Sequence, residues 1–183
     1  TTEVAMPKRK AVFLDRDGTL VKSIERPNFE KGITAPFHFS ELEFFPDLDK
    51  AMTIMGWLGF LRIIITNQPD AAYGHVSEEE WTKIHTAILG RVQPDDCFMC
   101  RHRRDESCPM RKPSPLMIFT AACKWNVNLA KSFMIGDTEY DMGAGKAAGC
   151  KTILLDRKYN ADVVADFRAR DLLEAAQVIE RYS

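Results

Sequence analysis

The sequence predicts an α/β protein of three layers, in which a Rossmann-like parallel sheet carries helices on both faces. Short apolar runs typical of buried strands alternate along the chain with segments of helical periodicity, and this alternation indicates a parallel sheet. Polar side chains follow directly after several of these runs, at the sheet edge where open α/β proteins bind ligands. Because 183 residues, 45% of them hydrophobic, suffice for one substantial core, we expect a single domain over 1–183 without a large cap domain.

The first predicted strand, residues 11–14, is followed directly by acidic residues. Asp15 and Asp17 follow the strand at the position where a substrate would bind. Gly18 allows the backbone to turn sharply and to approach a ligand closely, and Thr19 can fix the loop through its hydroxyl. The pattern therefore indicates a site built on paired carboxylates.

A long loop and a helix should come next. Residues 21–42 have no sustained periodicity and contain Pro27 and Pro36, which predicts a loop over the active end of the sheet. Ser23 and Arg26 in this loop should border the substrate. Helical spacing of apolar residues then predicts a helix that opens at 46–47 and stops at Gly59.

The middle of the chain repeats the pattern of strand and helix. A buried strand over 60–65 ends in polar residues, and 96–99 is a candidate third strand. Ser77 and Glu80 form a capping-box pattern that predicts a helix to about Val92.

The last third of the chain completes the alternation. We expect Ser114 to act as the N-cap of a helix that runs to about Trp125, with Pro115 in its first turn. The remaining predicted elements are a strand at 132–135, a short helix closing at Gly149, a strand at 151–155, an edge strand at Val163 and Val164, and an amphipathic helix over about 170–182.

Composition excludes several classes of function. The net charge of −1 gives no general field that would attract nucleic acid or an acidic membrane, and no apolar run approaches the ~20 residues of a membrane span. The basic start at residues 8–10 precedes only four apolar residues, too few for a signal peptide. We therefore expect a cytoplasmic monomer that binds a small molecule and neither nucleic acid nor membrane.

Residues 15–20, Asp-Arg-Asp-Gly-Thr-Leu, resemble the first motif of the haloacid dehalogenase superfamily. The resemblance implies a phosphatase that works through an aspartyl-phosphate, with Asp15 as nucleophile and Asp17 as general acid and base. The chemistry of phosphate monoesters is consistent with a covalent mechanism. Their enzymic hydrolysis is accelerated by up to ~10²¹, whereas a positioned acid or base contributes only ~10²–10⁴. A carboxylate nucleophile splits the displacement into two steps.

Three further segments resemble the other superfamily motifs, in the right order and at the ends of predicted strands or starts of helices. Thr66 could bind a phosphoryl oxygen through its hydroxyl, and Asn67 could contact the substrate through its amide. Lys112 resembles the lysine that balances the charges of nucleophile and phosphate. Arg111 offers a planar guanidinium to a second anionic group.

The fourth motif completes a predicted Mg²⁺ site. Asp137 follows the strand at 132–135, and the resemblance implies that Mg²⁺ binds to Asp15, to the main-chain carbonyl of Asp17 and to Asp137. Asp141 lies one helical turn further on and should support these ligands from behind.

The cysteine-rich segment 97–110 narrows the resemblance. Cys100, His102 and Cys108 match the zinc loop of the D-glycero-D-manno-heptose 1,7-bisphosphate phosphatases and of the histidinol-phosphate phosphatases. Met110 stands where the fourth ligand should be, and a thioether is a poor ligand for Zn²⁺. The expectation is a structural zinc whose fourth ligand is either Cys97 or Met110, and the alternative is a zinc site that is weakened or lost.

The resemblance favours a small phosphorylated sugar, most of all a sugar bisphosphate, as substrate, with histidinol phosphate as the alternative. Two departures bear on this choice, because Thr138 replaces a lysine common in the family and Tyr73 stands where the family tends to carry arginine. A hypothesis of another class is a zinc-stapled module without catalysis that binds polyanions through the Arg-His-Arg-Arg cluster at 101–104.

Overall fold

The helices and the strands of the main sheet follow one another in the alternating order that the sequence predicts. The computed structural model describes residues 7–183. Its strands and helices are β1 (Lys10–Leu14), β2 (Ile24–Glu25), β3 (Ile33–Thr34), α1 (Leu48–Trp57), β4 (Phe60–Asn67), α2 (Glu78–Val92), β5 (Asp96–Cys100), α3 (Leu116–Trp125), β6 (Phe133–Gly136), α4 (Glu139–Ala148), β7 (Lys151–Leu155), β8 (Phe167–Ala169) and α5 (Leu172–Tyr182).

One sheet organises the protein, with its strands in the order β5-β4-β1-β6-β7-β8 and every pair parallel. β1 lies in the interior of this sheet, where Phe13 pairs with Ile63 of β4 on one side and Met134 of β6 on the other. Because the strands are parallel, the carboxyl ends of β1, β4 and β6 meet at one edge.

Helices cover both faces of the sheet and bury two separate apolar layers. The helices α1, α2 and α5 pack on the face that carries Val12 and Leu14, whereas α3 and α4 pack on the face that carries Ala11 and Phe13. Side chains of β1 therefore point alternately into the two apolar layers, as expected for a strand that is buried on both sides. This architecture confirms the predicted three-layer α/β fold.

The predicted edge strand at Val163 and Val164 is wrong. The edge strand is β8, which begins at Phe167, and Val164 is 84% exposed. Hydrogen bonds from the backbone and the hydroxyl of Thr152 to the Asp166 carboxylate fix the start of pairing beside β7. The choice of strand therefore depends on a contact with a neighbouring strand and not on β propensity.

At two helix starts the capping in the structure differs from the predicted capping. Ser77 accepts from the backbone N–H of Glu80 as expected, but the Glu80 carboxylate accepts from the backbone of Phe39 instead of closing the capping box. At α3 the N-cap position belongs to Pro115, and the hydroxyl of Ser114 accepts from Leu116 N at 3.3 Å.

The long segment between β1 and α1 contains more regular structure than the sequence indicates. The strands β2 and β3 form a small antiparallel hairpin over the carboxyl edge of the main sheet, followed by a single 3-10 turn at Phe39–Glu41. Between residues 7 and 183 this hairpin and the cysteine-rich loop are the larger additions at that edge, and neither forms a cap domain. The helices in this range are all too short or too polar to cross a membrane.

Two glycines in helices test how tightly α4 packs on the sheet. A Cβ at Gly145 would lie 2.5 Å from Cβ of Met134, whereas a Cβ at Gly90 of α2 would meet nothing within 4 Å. We expect Gly145→Ala to lower the free energy of unfolding by about 1–3 kcal/mol through overpacking. Gly90→Ala, the matched control, should raise it by up to about 1 kcal/mol because alanine favours the helix. Urea unfolding measures both, and equal effects of the two substitutions would contradict the packing argument.

Candidate active site

Polar side chains from separate strands meet at the carboxyl edge of the sheet. Asp15 follows β1, Thr66 and Asn67 end β4, and Asp137 follows β6. Lys112 reaches the same point from the segment before α3. The tertiary structure thus brings together the catalytic residues that the sequence predicts.

Lys112 is the charge centre of the site. Its ammonium donates to Oδ1 of Asp15 at 2.7 Å, to Oδ1 of Asp141 at 2.6 Å and to the carbonyl of Ile65 at 2.8 Å. Burial acts to lower the pKa of Lys112, but the charges of Asp141 and Asp15 outweigh this and hold the pKa above its ordinary value. Lys112 is therefore a permanent cation in contact with the predicted nucleophile.

The carboxylates carry more negative charge than Lys112 neutralises. Burial, together with the charge of Asp141, raises the pKa of Asp15 to about 6 despite the contact with Lys112. Burial and the charges of Asp15 and Asp141 also raise the pKa of Asp137 well above its usual range. A divalent cation would relieve this repulsion.

The donor atoms suit Mg²⁺. Oxygen atoms of Asp15, Asp137 and Asp141 lie within 4.8 Å of one another, and Oδ1 of Asp137 is buried without a hydrogen-bond partner in the described chain. Both oxygens of Asp141 are in use, one by Lys112 and one by the backbone N–H and hydroxyl of Thr138. Asp15 and Asp137 therefore fit as direct ligands, and Asp141 fits the supporting role.

A segment that sequence reasoning missed holds Asp137 in place. The hydroxyl of Tyr159 donates to Oδ2 of Asp137 at 2.5 Å, and the amide of Asn160 donates to the Asp137 carbonyl at 2.8 Å. Arg157 donates twice to the carbonyl of Gly18 and so fixes the turn that carries Asp17. No local pattern in 156–160 signals this role, because it arises only when β7 lies beside β6.

Gly18 is required at its position. Its φ is +82°, and a Cβ there would lie 2.1 Å from Oδ2 of Asp137. Any side chain would displace the proposed metal ligand, which gives the glycine of the first motif a steric reason.

Asp17 lies in an environment unlike that of Asp15. Arg16 donates to both oxygens of Asp17, at 3.0 and 3.1 Å, and Gln68 donates to Oδ2 at 2.7 Å. Both donors are buried, each with 1% of its surface exposed. The sequence alone assigns no role to Arg16 or Gln68, although Arg16 lies between the two acids of the first motif and Gln68 directly follows Asn67.

His85 and Trp81 of α2 bind these two donors. Nδ1 of His85 lies 3.2 Å from Nη1 of Arg16, and Nε1 of Trp81 donates to Oε1 of Gln68 at 3.2 Å. Burial, and then the charge of Arg16, lowers the pKa of His85 to about 4. The imidazole is therefore neutral near pH 7.

Three of the residues that were predicted to bind substrate line cavities at the carboxyl edge of the sheet. Ser23 lines a cavity with Asp17 and Asp137, and Arg111 lines one of about 230 Å³ with Asp15 and Lys112. Asn67 also lines this second cavity, but its amide exchanges two hydrogen bonds with the backbone of Lys112.

Two other predicted residues are engaged within the protein. Arg26 binds both oxygens of Glu41 at 2.7 Å and the hydroxyl of Thr34, so its guanidinium fixes the β2-β3 hairpin. Thr66 is buried, and its hydroxyl accepts from Gln68 at 2.9 Å.

The cysteine-rich loop gathers a second candidate metal centre. Donor atoms of Cys100, His102 and Cys108 lie within 4.8 Å of one another, with 3.8 Å between Sγ of Cys100 and Nδ1 of His102. All three suit Zn²⁺, and the cysteines are free thiols.

The structure separates the two alternatives for the fourth zinc ligand. Cys97 packs with the core layer of α1 and α2, whereas Cys100, Cys108 and Met110 contact the layer of α3 and α4 on the other face of the sheet. Residues three apart in a strand point to opposite faces. Of the two candidates for the fourth ligand, Cys97 therefore lies on the face of the sheet opposite the cluster, and Met110 shares the face of the cluster.

The chain is similar to known phosphatases in sequence. Residues 109–174 match a family model described as "HAD-hyrolase-like". The D-glycero-beta-D-manno-heptose-1,7-bisphosphate 7-phosphatase of Pasteurella multocida is 33% identical over 159 residues, 80% of this chain and 81% of the relative. The enzyme of the same name from Helicobacter pylori strain 26695 is 32% identical over 156 residues, 82% of this chain and 85% of the relative.

The chain belongs to this family of haloacid dehalogenase-like phosphatases. The solved D,D-heptose 1.7-bisphosphate phosphatase of B. bronchiseptica, complexed with magnesium and phosphate, superposes with a TM-score of 0.80 at 25% identity and covers 95% of this chain and 99% of its own. Membership makes the protein a phosphoric monoester hydrolase, as the motifs predict.

The buried imidazole of His85 should make the fold sensitive to acid. Below pH 6.5 the unfolded chain takes up a proton that the folded protein binds only near pH 4, so stability falls as the pH drops through this window. Relative to His85→Gln, which cannot titrate, wild type should lose about 1–2 kcal/mol of unfolding free energy between pH 7 and 5. Urea unfolding of both proteins at the two pH values measures this, and a pH-independent difference would contradict the lowered pKa.

Proposed function

We propose that the protein is a Mg²⁺-dependent phosphatase of a sugar bisphosphate, most like the heptose 1,7-bisphosphate 7-phosphatases, and that Asp15 is its nucleophile. The observation that carries the proposal is the contact of Asp15 with the buried cation of Lys112 beside Asp137, whose Oδ1 lacks a partner. The names of the curated relatives support the substrate class.

The proposed reaction has two displacements. A carboxylate oxygen of Asp15 attacks phosphorus, the bond to the leaving oxygen breaks, and Asp17 gives that oxygen a proton. Asp17 then takes a proton from the water that attacks the phosphorus of phospho-Asp15. The bond between phosphorus and the Asp15 oxygen breaks, inorganic phosphate leaves, and both carboxyl groups return to their starting states. Lys112 offsets the negative charge throughout.

Asp15, the Asp17 carbonyl and Asp137 would hold the Mg²⁺, which supplies charge neutralisation for an anionic nucleophile and an anionic substrate. The magnesium in the B. bronchiseptica neighbour supports the choice of metal.

Arg111 supports recognition of a second phosphate. It lines the cavity that contains Asp15, and of its guanidinium nitrogens only Nη1 has a hydrogen-bond partner within the described chain, the carbonyl of His102 at 3.0 Å. The other edge of the guanidinium is available to bind a phosphate through two parallel hydrogen bonds.

A phosphate-release screen tests the substrate class. Sugar 1,7-bisphosphates, sugar monophosphates and histidinol phosphate are compared, with Asp15→Asn as the blank because an amide cannot form the phosphoenzyme. We expect wild type to prefer a bisphosphate. Arg111→Ala should lose about ten- to a hundredfold in kcat/KM for the bisphosphate and much less for the monophosphate.

Arg103→Ala is the matched control, since it removes an equal charge from the same loop at an exposed residue whose guanidinium binds Asp105. Its two kcat/KM values should stay near wild type. A preference for histidinol phosphate, or an equal loss on both sugar phosphates in Arg111→Ala, would overturn the bisphosphate proposal. Full activity of Asp15→Asn would overturn the covalent mechanism.

The polyanion-binding alternative finds little support. In the cluster at 101–104, Arg101 binds Glu78, Arg103 binds Asp105 and Arg104 binds Glu30. Guanidinium groups already paired with carboxylates offer a weak field to a nucleic acid. We therefore infer a small phosphorylated substrate, and the cytoplasmic location, the monomeric state and the single domain stay predictions.

We also infer that the cysteine-rich loop binds a structural Zn²⁺ through Cys100, His102 and Cys108. The donor chemistry and the mutual distances support it. Zinc should remain with the purified protein while EDTA removes Mg²⁺ and stops turnover reversibly.

Elemental analysis and thermal unfolding check the zinc site. Cys100→Ser should lose zinc and melt several degrees below wild type, whereas Cys97→Ser should keep its zinc because Cys97 lies on the other face of the sheet. Zinc-free wild-type protein, together with a Cys100→Ser variant that melts at the wild-type temperature, would make the loop a relic of the family's metal site.

A further inference from the structure

The side chains around Asp17 form a closed ring of contacts. Starting from Asp17, the ring passes to Arg16, to His85, to Trp81, to Gln68 and back to Asp17. The Trp81 and His85 rings are stacked with their centroids 4.8 Å apart, and the other links are hydrogen bonds. The guanidinium of Arg101 lies 3.8 Å from the Trp81 ring centroid, so this indole is packed between neighbours.

Donor and acceptor chemistry fixes the orientation of each member. Arginine only donates, so Nδ1 of His85 must accept from Arg16 and the imidazole proton lies on Nε2. The Trp81 indole also only donates, so it selects the oxygen of the Gln68 amide. The amide nitrogen of Gln68 then faces Asp17 and the Thr66 hydroxyl.

The two oxygens of Asp17 are left unequal by this arrangement. Oδ2 accepts from Nε of Arg16 and from Gln68, which uses the capacity of that oxygen. Among the described residues, Oδ1 accepts only from Nη2 of Arg16, which leaves it a lone pair for a further hydrogen bond. Asp17 lines the cavity that also contains Asp15, where the reacting phosphate would bind.

We propose that Trp81 and His85 are positioning residues, which act through Gln68 and Arg16 to hold Asp17 with Oδ1 as the atom that carries the transferred proton. Both are buried on α2, outside the motifs that supply the reacting groups. The inference rests on the proposed role of Asp17 as general acid and base.

The chemical step shows why orientation matters. Oδ1–H gives its proton to the leaving oxygen as the bond from that oxygen to phosphorus breaks, and Oδ1 later accepts a proton from the attacking water. Proton transfer of this kind needs hydrogen-bond distance and alignment, and a displacement of about 1 Å can cost a hundredfold in rate. Without Trp81 the Gln68 amide can turn over, and its oxygen would then face the Asp17 carboxylate.

Aryl phosphates that differ in leaving group test the proposal. 4-Nitrophenolate leaves without a proton, whereas phenolate is a poor leaving group that depends on the acid. The kcat/KM value covers only the steps up to formation of the phosphoenzyme, so it isolates the acid role of Asp17 from the later hydrolysis. Asp17→Asn first establishes the leaving-group effect, as a much larger loss with phenyl phosphate than with 4-nitrophenyl phosphate.

Trp81→Phe keeps an aromatic ring beside His85 and removes the N–H donor to Gln68 together with the rest of the indole, and His85→Phe keeps a ring and removes the acceptor for Arg16 together with the Nε2–H group. We expect each to lose about tenfold or more in kcat/KM with phenyl phosphate and little with 4-nitrophenyl phosphate. His85→Gln, which restores an acceptor, should recover most of the loss. Ile88→Val, a buried change one turn along α2 without a polar partner, should leave the ratio between the two substrates at its wild-type value.

The outcomes separate the positioning role from the proposed function. Equal losses on both substrates in Trp81→Phe and His85→Phe, or no loss on either, would overturn the positioning role while the phosphatase proposal stands. An Asp17→Asn enzyme without any leaving-group effect would instead overturn the role of Asp17 itself. A variant that folds poorly is recognised by its reduced free energy of unfolding. Trp81→Phe and His85→Phe are judged on the ratio of kcat/KM for the two aryl phosphates, because the amount of folded enzyme does not change this ratio.

Discussion

The buried ammonium of Lys112 is the interaction on which the rest of the site depends. One nitrogen joins the end of β1 through Asp15, the end of β4 through the Ile65 carbonyl and the helix α4 through Asp141. Removing a cation from such a buried cluster leaves uncompensated carboxylates, which costs about 3–5 kcal/mol. The strand ends can hold their acids together only because this cation balances part of their charge.

The two acids of the first motif receive different partners although they are two residues apart. Asp15 contacts the buried Lys112 in a cluster with excess negative charge, whereas Asp17 turns away to the guanidinium of Arg16 and the amide of Gln68. Groups that share one motif can take different roles when their environments differ in this way. The sharp turn at Gly18, fixed by Arg157, makes the separation possible.

The hairpin over the site links parts of the protein that are distant in sequence. At its tip Glu30 binds Arg104 of the cysteine-rich loop, and Lys31 binds Glu139 at the start of α4. The hydroxyl of Tyr73 accepts from the backbone of Arg104, so this departure from the family pattern supports the loop. Thr138, the other departure, caps α4 together with Asp141. Both residues thus have a structural role, and Thr138 also lines the cavity that contains Asp15 and Lys112.

The sequence by itself determined the alternation of helices with the strands of the main sheet, and it placed Asp15 and Asp137 after strands and Lys112 before a helix. The periodicity of apolar residues, the turn residues and the spacing of motifs are local properties of the chain. It could not determine that β8 begins at Phe167 and not at Val163, because strand pairing is decided by the neighbouring strand. Only the tertiary structure showed that Cys97 lies on the face of the sheet opposite Cys100, and that Tyr159 contacts Asp137. It also showed that Trp81 and His85 contact Gln68 and Arg16, the two residues that bind Asp17. These contacts join residues that are far apart in the chain. Their energies depend on burial and on the direction of single hydrogen bonds, and a local sequence pattern specifies neither.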